Sequence, residues 1–345
     1  MPSPRRLVKI LVGLTVSAGL LVYLFWNTDL AAIAARLRET SWGWLLASIA
    51  LGYGSLWSRA RRWFYLFPPG SRPSHLFNAV MILYMGNNLL PLRAGEVLRV
   101  FVVVRRGQPV WTTVATVVVE RLLDGLAICL MLAGMFLVLP VPRQVRWGAV
   151  VLLPVLVALV VVVALVAVVP EAGRGLVRTL FLWASGLPGS ERRRRLENRA
   201  LDIVDTVHQG LEAIRTPASA LPIAFWSAAV WTLIAFSVWV ALWSAHLFLP
   251  LSAAWTLIAV LGLGVSVPSS PGFVGVIQAA TVVALSLYGV SRTDALSFSL
   301  LLHASQFIPV TVHGLILLAV EHVSLTDAAR PAPALTRPGH GPPAP

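Results

Sequence analysis

The chain has 345 residues, of which 57% are hydrophobic and only 12% are charged, and its mean hydropathy is +0.81. A soluble globular domain needs far more charge on its surface, so this composition excludes that class. Several apolar runs reach the roughly 20 residues needed to cross a hydrocarbon layer about 30 Å thick. The sequence therefore predicts an all-α, polytopic transmembrane helical bundle in the cell membrane.

The net charge of +13 comes almost entirely from arginines between the apolar runs, and Lys9 is the only lysine. This distribution follows the positive-inside rule rather than the pattern of a nucleic-acid-binding surface. We therefore expect membrane lipids as partners, no nucleic acid, and cytoplasmic N- and C-termini. The single cysteine, Cys129, lies inside an apolar run, which excludes a disulfide framework and a thiolate metal site.

In chain order, the first apolar run is interpreted as an uncleaved span, followed by a short loop that contains Asp29. The second span ends at SRARRWFYLF, where Arg59, Arg61 and Arg62 are expected to mark the cytoplasmic side. The second span starts near Trp42, and the other apolar runs cover about 7–26, 75–104 (in two pieces), 111–139, 147–169, 219–247, 252–267, 272–289 and 297–320.

We interpret residues 1–325 as a single transmembrane domain. Its one substantial polar segment, 170–218, is predicted to be a cytoplasmic loop with an amphipathic helix, because apolar residues recur there at helical spacing. The arginines at 192–195 either bind anionic lipid or only fix this loop in the cytoplasm. Residues 326–345 are rich in Pro, Ala and Gly and are predicted to be disordered.

The arginine-rich loops also constrain the topology. If they all face the cytoplasm, residues 75–104 must leave and return on one side, and 252–289 must leave and return on the other. This predicts about six spans plus two broken, re-entrant helical hairpins of opposite direction, the pattern of an inverted repeat.

The first of these hairpins contains the segment NNLLPLRAGEVLR, in which Pro91 and Gly95 predict a helix break. Irregular backbone is tolerated in a membrane only where it is buried in protein or lines a wet cavity. The ionisable residues Arg93, Glu96 and Arg99 are spaced three apart and share one helix face.

A second charged cluster, Glu120, Arg121 and Asp124, lies near the middle of the next span. Across the two clusters three arginines match three acids, which allows a neutral ion-pair network. Either these pairs only hold the broken helices together, or an arginine remains to bind a phosphate.

The second hairpin contains GLGVSVPSSPGFVGVIQAA, residues 262–280. Pro271 and Gly272 predict a break there, and Ser269 and Ser270 supply hydroxyl groups. A helix that starts near Phe273 would point its N-terminal amides at the break and attract an anion, although a plain packing kink is the alternative.

His303, Gln306 and His313 share a face of the last span. Because no carboxylate or cysteine accompanies them, we predict no metal site there. Polar lining of a cavity is the preferred interpretation of these residues.

The segments GNNLLPLRAGEVLR, VVVERLLDGL and VPSSPGFVGVIQAA together resemble the lysylphosphatidylglycerol synthase transmembrane region, over about residues 10–320. The resemblance implies a flippase-like domain that moves a lipid head group between leaflets, in the best-known members an aminoacylated phosphatidylglycerol. In those members a soluble synthase domain follows, whereas this chain ends in a short tail. We therefore expect a translocator without synthase activity, catalytic residues or cofactors.

Two positions depart from the family pattern. Gln278 stands where the family usually has an acid, and His303 stands near a frequent arginine. If those two positions form a pair, the pair is uncharged or weakly basic in this chain.

The leading hypothesis is therefore a phospholipid or lipid-linked head-group flippase. The alternatives are a membrane-embedded transferase with Glu96 or Asp124 as general base, or an accessory subunit of such an enzyme; a homo-oligomer or a partner lipid-modifying enzyme also stays open. The candidate substrate-binding residues are Asn88, Arg93, Glu96, Arg99, Glu120, Arg121, Asp124, Ser269, Ser270, Gly272, Gln278 and His303.

Overall fold

A computed structural model describes residues 17–26, 28–138, 217–266 and 270–321, together with position 15 and scattered positions between 154 and 205. The predictions for the start of the first span, for the run at 147–169, for most of the 170–218 loop and for the tail at 326–345 lie outside the described residues.

The described residues form helices, and no strand occurs among them. Three short 3-10 turns interrupt the helices, and each begins with a proline, whose fixed φ and missing N–H suit the first helical position: Pro69–Ser71, Pro91–Arg93 and Pro271–Phe273. The helices are α1 (Ser17–Phe25), α2 (Leu30–Arg38), α3 (Trp42–Leu66), α4 (Leu76–Leu89), α5 (Gly95–Arg105), α6 (Val110–Val138), α7 (Pro217–Ser244), α8 (Leu251–Ser266), α9 (Val276–Ser286) and α10 (Arg292–Val320).

Helix α2 corrects the prediction of a loop after the first span. The Asp29 carboxylate caps this helix by accepting hydrogen bonds from the backbone N–H groups of Ala31 and Ala32, at 2.9 and 3.1 Å. The axes of α1 and α2 meet at 91°. Asp29, which indicated a loop, therefore forms the N-terminal cap of a short helix.

Two of the described helices, α7 and α10, are long and apolar enough to cross a membrane, and the bent pair of α1 and α2 would be a third if it is one span. Helices α3 and α6 have 25 and 29 residues but carry the charged residues described below. The predicted number of about six spans is therefore only partly supported.

Helices α4 and α5 form a hairpin around the turn Pro91–Arg93. Its tight packing requires glycine, because a Cβ added to Gly95 would overlap the carbonyl of Leu83 and come within 2.7 Å of the Asn87 amide nitrogen. The start of α4 and the end of α5 meet at Glu321, which binds Asn78 at 3.0 Å and Arg106 at 2.6 Å. This hairpin therefore begins and ends beside the C-terminal end of α10.

Helices α8 and α9 form a second hairpin around the turn Pro271–Phe273. Its two arms are joined near their outer ends by a hydrogen bond of 2.9 Å between the hydroxyls of Thr256 and Tyr288. Tyr288 lies four residues before the start of α10, so this hairpin begins and ends beside the N-terminal end of α10. The two hairpins therefore enter the bundle from opposite ends.

The tips of the two hairpins meet between those ends. The Arg93 guanidinium donates a hydrogen bond to the carbonyl of Val265, and its carbon lies 5.4 Å from the centre of the Phe273 ring. The hydrophobic core of the described residues has three clusters: one around Trp63, Met81 and Leu98, one around Leu242, Leu257 and Phe298, and a small one of Leu24, Ile33 and Leu296. The two helix breaks therefore lie beside each other between the ends of the bundle, where Gly95 and Gly272 are buried and Arg93 is exposed.

Candidate functional site

A cluster of buried charges joins α3, α5 and α6. Glu120 is fully buried and lies 2.6 Å from Arg99, 2.9 Å from Arg59 and 3.3 Å from Arg62. Asp124 lies one helical turn further along α6, 2.7 Å from Arg59 and 2.8 Å from Arg62. The two acids of α6 therefore hold two arginines of α3 and one of α5.

The outer edge of this cluster is formed by Glu96 and Arg121. Glu96 Oε2 lies 2.7 Å from Arg99 Nη2. The two groups form a close ion pair, but their orientation does not satisfy the geometry of a hydrogen bond. Arg121, whose side chain is about half exposed, lies 3.2 Å from both Glu120 and Asp124 and 3.7 Å from Glu96. Of the arrangements that the sequence left open, these residues adopt the ion-pair network.

The membership of the cluster differs from the prediction in two ways. Arg93 does not join it and instead binds the second hairpin. Arg59 and Arg62, which were predicted to mark the cytoplasmic end of a span, are 4% and 0% exposed and belong to the cluster. Four guanidinium groups thus face three carboxylates, so the cluster carries a net charge of +1 rather than the predicted zero.

A sequence signal for Arg59 and Arg62 was present on α3. Ser48, Gly52 and Ser55 precede them at helical spacing and form a stripe of small residues on the same face. The hydroxyl of Ser48 donates to the carbonyl of Ser237 on α7 at 2.8 Å, so this stripe packs inside the bundle. Arginines that continue a buried stripe are expected to be buried too, since helix residues three and four apart share a face.

The second helix break lies close to the first. Gly272 has φ +70°, and a Cβ there would come within 2.7 Å of the Phe307 ring and 3.3 Å of the Asn88 carbonyl oxygen. Asn88 is held in turn by α10, because its amide donates to the Thr311 hydroxyl at 2.8 Å. Glycine is therefore required at 272 both by its left-handed backbone and by the close approach of the two hairpins.

The serines of the second break are only partly described. The Ser270 N–H donates to the hydroxyl of Ser17 on α1 at 3.1 Å, and its own hydroxyl donates to the Val274 carbonyl at 3.4 Å. Ser269 lies outside the described residues. Helix α9 begins at Val276 rather than near Phe273. The helix N-terminal amides that were predicted to attract an anion therefore lie about one turn further along the chain.

A cavity of about 380 Å³ is lined by the second break and by residues of α3, α4, α7, α8, α9 and α10. Asn88, near the end of α4, is its lining residue closest in sequence to the first break. Most of its wall is apolar, and Arg59 is the one Asp, Glu, Lys or Arg side chain in the described lining. Arg59 therefore connects this cavity to the charged cluster. The uncharged polar side chains of the lining are Ser55, Tyr84, Asn88, Trp231, Ser237, His303 and Gln306.

Comparison with known proteins now identifies the family. The model of the lysylphosphatidylglycerol synthase TM region matches residues 10–314, which is most of the chain. This protein belongs to that family. It is accordingly a helical membrane protein related to lipid modification or lipid flipping, and the matched region is the membrane part of the synthase rather than its catalytic part. Neither a search of curated proteins nor a search of solved structures finds a significant match.

The two positions that depart from the family pattern are in contact. Gln278 Nε2 and His303 Nδ1 are 3.1 Å apart, while Gln278 Oε1 accepts a hydrogen bond of 2.7 Å from the Gly275 N–H. Since the carbonyl oxygen faces the backbone, the Gln278 amide group donates to His303. This hydrogen bond thus joins α9 to α10.

The remaining histidines and acids of the site have partners of other kinds. His313 stacks on Tyr53 with ring centres 5.8 Å apart, and His303 contacts Phe307 edge-on at 5.5 Å. No group of three metal-ligating side chains occurs among the described residues. Glu96 and Asp124, the general bases of the transferase alternative, are both held by arginines.

Proposed function

We propose that this protein moves the head group of a phosphate-bearing membrane lipid between the two leaflets of the cell membrane. The observation that carries the proposal is the cavity at the second helix break, in which Arg59 is the one charged residue of the described lining. A cavity of this size holds a polar head group while the acyl chains stay in the bilayer.

The proposed arrangement in the membrane is about six spans plus two re-entrant hairpins related as an inverted repeat, with both termini in the cytoplasm. Helices α4 and α5 have 14 and 11 residues, about 21 and 17 Å, which is too short to cross the hydrocarbon layer. The opposite directions of the two hairpins support this arrangement. Broken helices that meet from opposite sides are the usual construction of a transport site.

The charge of the site favours an anionic or uncharged head group. Four guanidinium groups outnumber three carboxylates in the cluster beside the cavity, and the Nε and Nη1 atoms of Arg62 are buried without a hydrogen-bond partner in the described structure. A buried excess of positive charge is costly in a membrane, and an incoming phosphate would offset it. The cluster would thus attract the phosphate through Arg59.

The pair of Gln278 and His303 narrows the proposed substrate further. A cationic aminoacylated head group would need a carboxylate in the cavity, and the described lining contains none. Asn88, Gln306 and His303 offer hydrogen bonds that suit hydroxyl groups and phosphate oxygens instead. We therefore favour phosphatidylglycerol or a lipid-linked sugar phosphate over an aminoacylated lipid.

Proteoliposomes test this proposal directly. The purified protein is reconstituted with a fluorescent phosphatidylglycerol, and a membrane-impermeant quencher measures how much of the label moves between leaflets. We expect movement with the wild type and its loss in Arg93→Gln, which disconnects the hairpin tips. Movement that continues unchanged in this variant would refute the proposal.

The control variant is Arg36→Gln, which removes an exposed ion pair with Glu39 and Asp294 at the far end of the bundle. It is expected to transport like the wild type, and circular dichroism with gel filtration confirms that each variant is folded. A second lipid, lysylphosphatidylglycerol, tests the charge argument. Faster movement of this cationic lipid than of phosphatidylglycerol would refute the preference for an anionic head group while leaving transport itself intact.

A further inference from the structure

A second basic site lies in a cleft where α3 ends and α4 begins. It is separate from the 380 Å³ cavity that Arg59 lines, which we call the central cavity. The cleft has a volume of about 200 Å³, and its lining includes Trp57, Arg61, Phe64, His75 and Phe77. None of its lining residues lines the central cavity. We call it the arginine–aromatic cleft.

Two guanidinium groups lie near the Phe64 ring of this cleft and the neighbouring Tyr65 ring: Arg61, which lines the cleft, and Arg72, which lies next to its lining. The Arg61 guanidinium carbon lies 5.1 Å from the centre of the Phe64 ring and 5.8 Å from that of Tyr65. The corresponding distances for Arg72 are 5.2 and 5.0 Å. Because both cations lie over the same two rings, their positive charges converge on one small region.

These two arginines differ from their neighbours in having no acid beside them. Arg62 and Arg106 both form ion pairs, whereas neither Arg61 nor Arg72 has a carboxylate partner in the described part of the chain. The Nε atom of Arg72 is buried and makes no hydrogen bond to those residues. The lining of the cleft therefore carries the positive charge of Arg61, and Arg72 places a second positive charge beside it.

The surroundings of the cleft are those of a membrane–water interface. Trp57 is half exposed, and its ring contacts the Trp226 ring of α7 edge-on, with ring centres 5.1 Å apart. Phe225, next to Trp226 in the chain, is 62% exposed. Exposed tryptophans and arginines together mark the head-group level of a bilayer. Arg105 and Arg106, at the end of α5, lie at the same end of the bundle as the cleft, because Arg106 and Asn78 both bind Glu321.

We propose that the arginine–aromatic cleft binds the phosphate of an anionic phospholipid from the surrounding membrane, at a site separate from the central cavity. The forked donors of two guanidinium groups match the two non-bridging oxygens of a phosphate diester. The volume accommodates the phosphate and its glycerol, and the exposed apolar side chains Leu221 and Phe225 lie on the adjacent helix for the acyl chains. The proposal requires the membrane location but not lipid transport.

Native mass spectrometry of the full-length protein in detergent tests this site. Phosphatidylglycerol, zwitterionic phosphatidylcholine and inorganic phosphate are titrated against the wild type and against Arg61→Gln/Arg72→Gln. We expect the double variant to bind phosphatidylglycerol about 30-fold more weakly, with little change for phosphatidylcholine. Equal affinity of both proteins for phosphatidylglycerol would overturn the proposal, as would displacement of that lipid by millimolar inorganic phosphate.

Two further variants complete the test. Arg36→Gln/Arg38→Gln removes the same charge from exposed positions at the other end of the bundle and is expected to bind phosphatidylglycerol like the wild type. Arg61→Lys/Arg72→Lys keeps both charges but loses the forked donors, so we expect it to bind phosphatidylglycerol several-fold more weakly than the wild type. This variant also keeps the test valid if the glutamine variant does not fold. Undiminished binding by the lysine variant, or an equal loss in the Arg36/Arg38 control, would assign the effect to bulk charge and overturn the site.

Discussion

Glu120 is the residue that holds most of the charged cluster together. It is fully buried and contacts four arginines, Arg59, Arg62, Arg99 and Arg121, between 2.6 and 3.3 Å. Removing one partner of a buried ion pair is far more costly than the pair's net contribution, because the remaining charges stay buried without compensation. Glu120 is therefore the most sensitive single charge in the described structure.

We predict that Glu120→Gln destabilises the protein by about 3–5 kcal/mol. Replacing its carboxylate leaves four guanidinium groups against two acids. Thermal unfolding in detergent measures the effect as a lower midpoint. The matched control is Glu39→Gln, whose ion pair with Arg36 is exposed and contributes about 0–1 kcal/mol. Equal midpoints for the two variants would show that the cluster is not a structural unit.

The packing of the first hairpin depends on glycine at the crossing of α4 and α5. We predict that Gly95→Ala destabilises the protein by about 3 kcal/mol or lowers its expression, because the new methyl group would meet the rigid backbone of Leu83 and Asn87. Gly134→Ala on α6 is the matched control, since a Cβ there meets nothing within 4 Å. The control should gain up to about 1 kcal/mol from better helix propensity. Thermal unfolding of both variants provides the comparison, and a stable Gly95→Ala would contradict the close packing.

The ends of the first hairpin are attached to α10 through Glu321. Burial alone would raise the pKa of the Glu321 carboxyl, but hydrogen bonds from Arg106 and Asn78 outweigh it and hold this pKa below its ordinary value. The ionised carboxylate thus stabilises the fold above about pH 4.3, the unfolded pKa, and this contribution disappears as the pH falls through the lower folded pKa.

We therefore predict that Glu321→Gln lowers the unfolding midpoint at pH 7 and that the difference from the wild type shrinks below pH 4. Thermal unfolding at several pH values measures it. A difference that stays constant between pH 7 and pH 3 would mean that the carboxylate does not carry this attachment.

At the scale of the whole molecule, the opposite directions of the two hairpins predict which loops lie on the same face of the membrane. In a Cys129→Ala background, single cysteines at Ser74 and Pro109 lie at one end of the bundle, and cysteines at Phe248 and Ser286 lie at the other. We predict that a membrane-impermeant maleimide modifies the first two from one face of the membrane and the last two from the opposite face. Reaction of all four from the same face would contradict the arrangement.

Much of the helical architecture follows from local sequence. The apolar runs and the proline–glycine breaks predicted α3 to α10 because bilayer length and missing backbone donors act on each segment separately. The loop predicted at Asp29 was wrong, since a short polar helix with a side-chain cap looks like a loop when only hydropathy is considered. Charge pairing was predicted within the segments that contain Glu96, Glu120 and Asp124.

The sequence by itself thus determined the membrane class, the positions of the helix breaks and the family. Only the tertiary structure decided that Arg59 and Arg62, rather than Arg93, complete the charged cluster, and that Gln278 contacts His303. The physical reason is that hydropathy and helix breaking are properties of neighbouring residues, whereas the partner of a buried charge is chosen by which distant helices pack together. Residues 59 and 124 are 65 positions apart in the chain but are separated by only 2.7 Å in the fold.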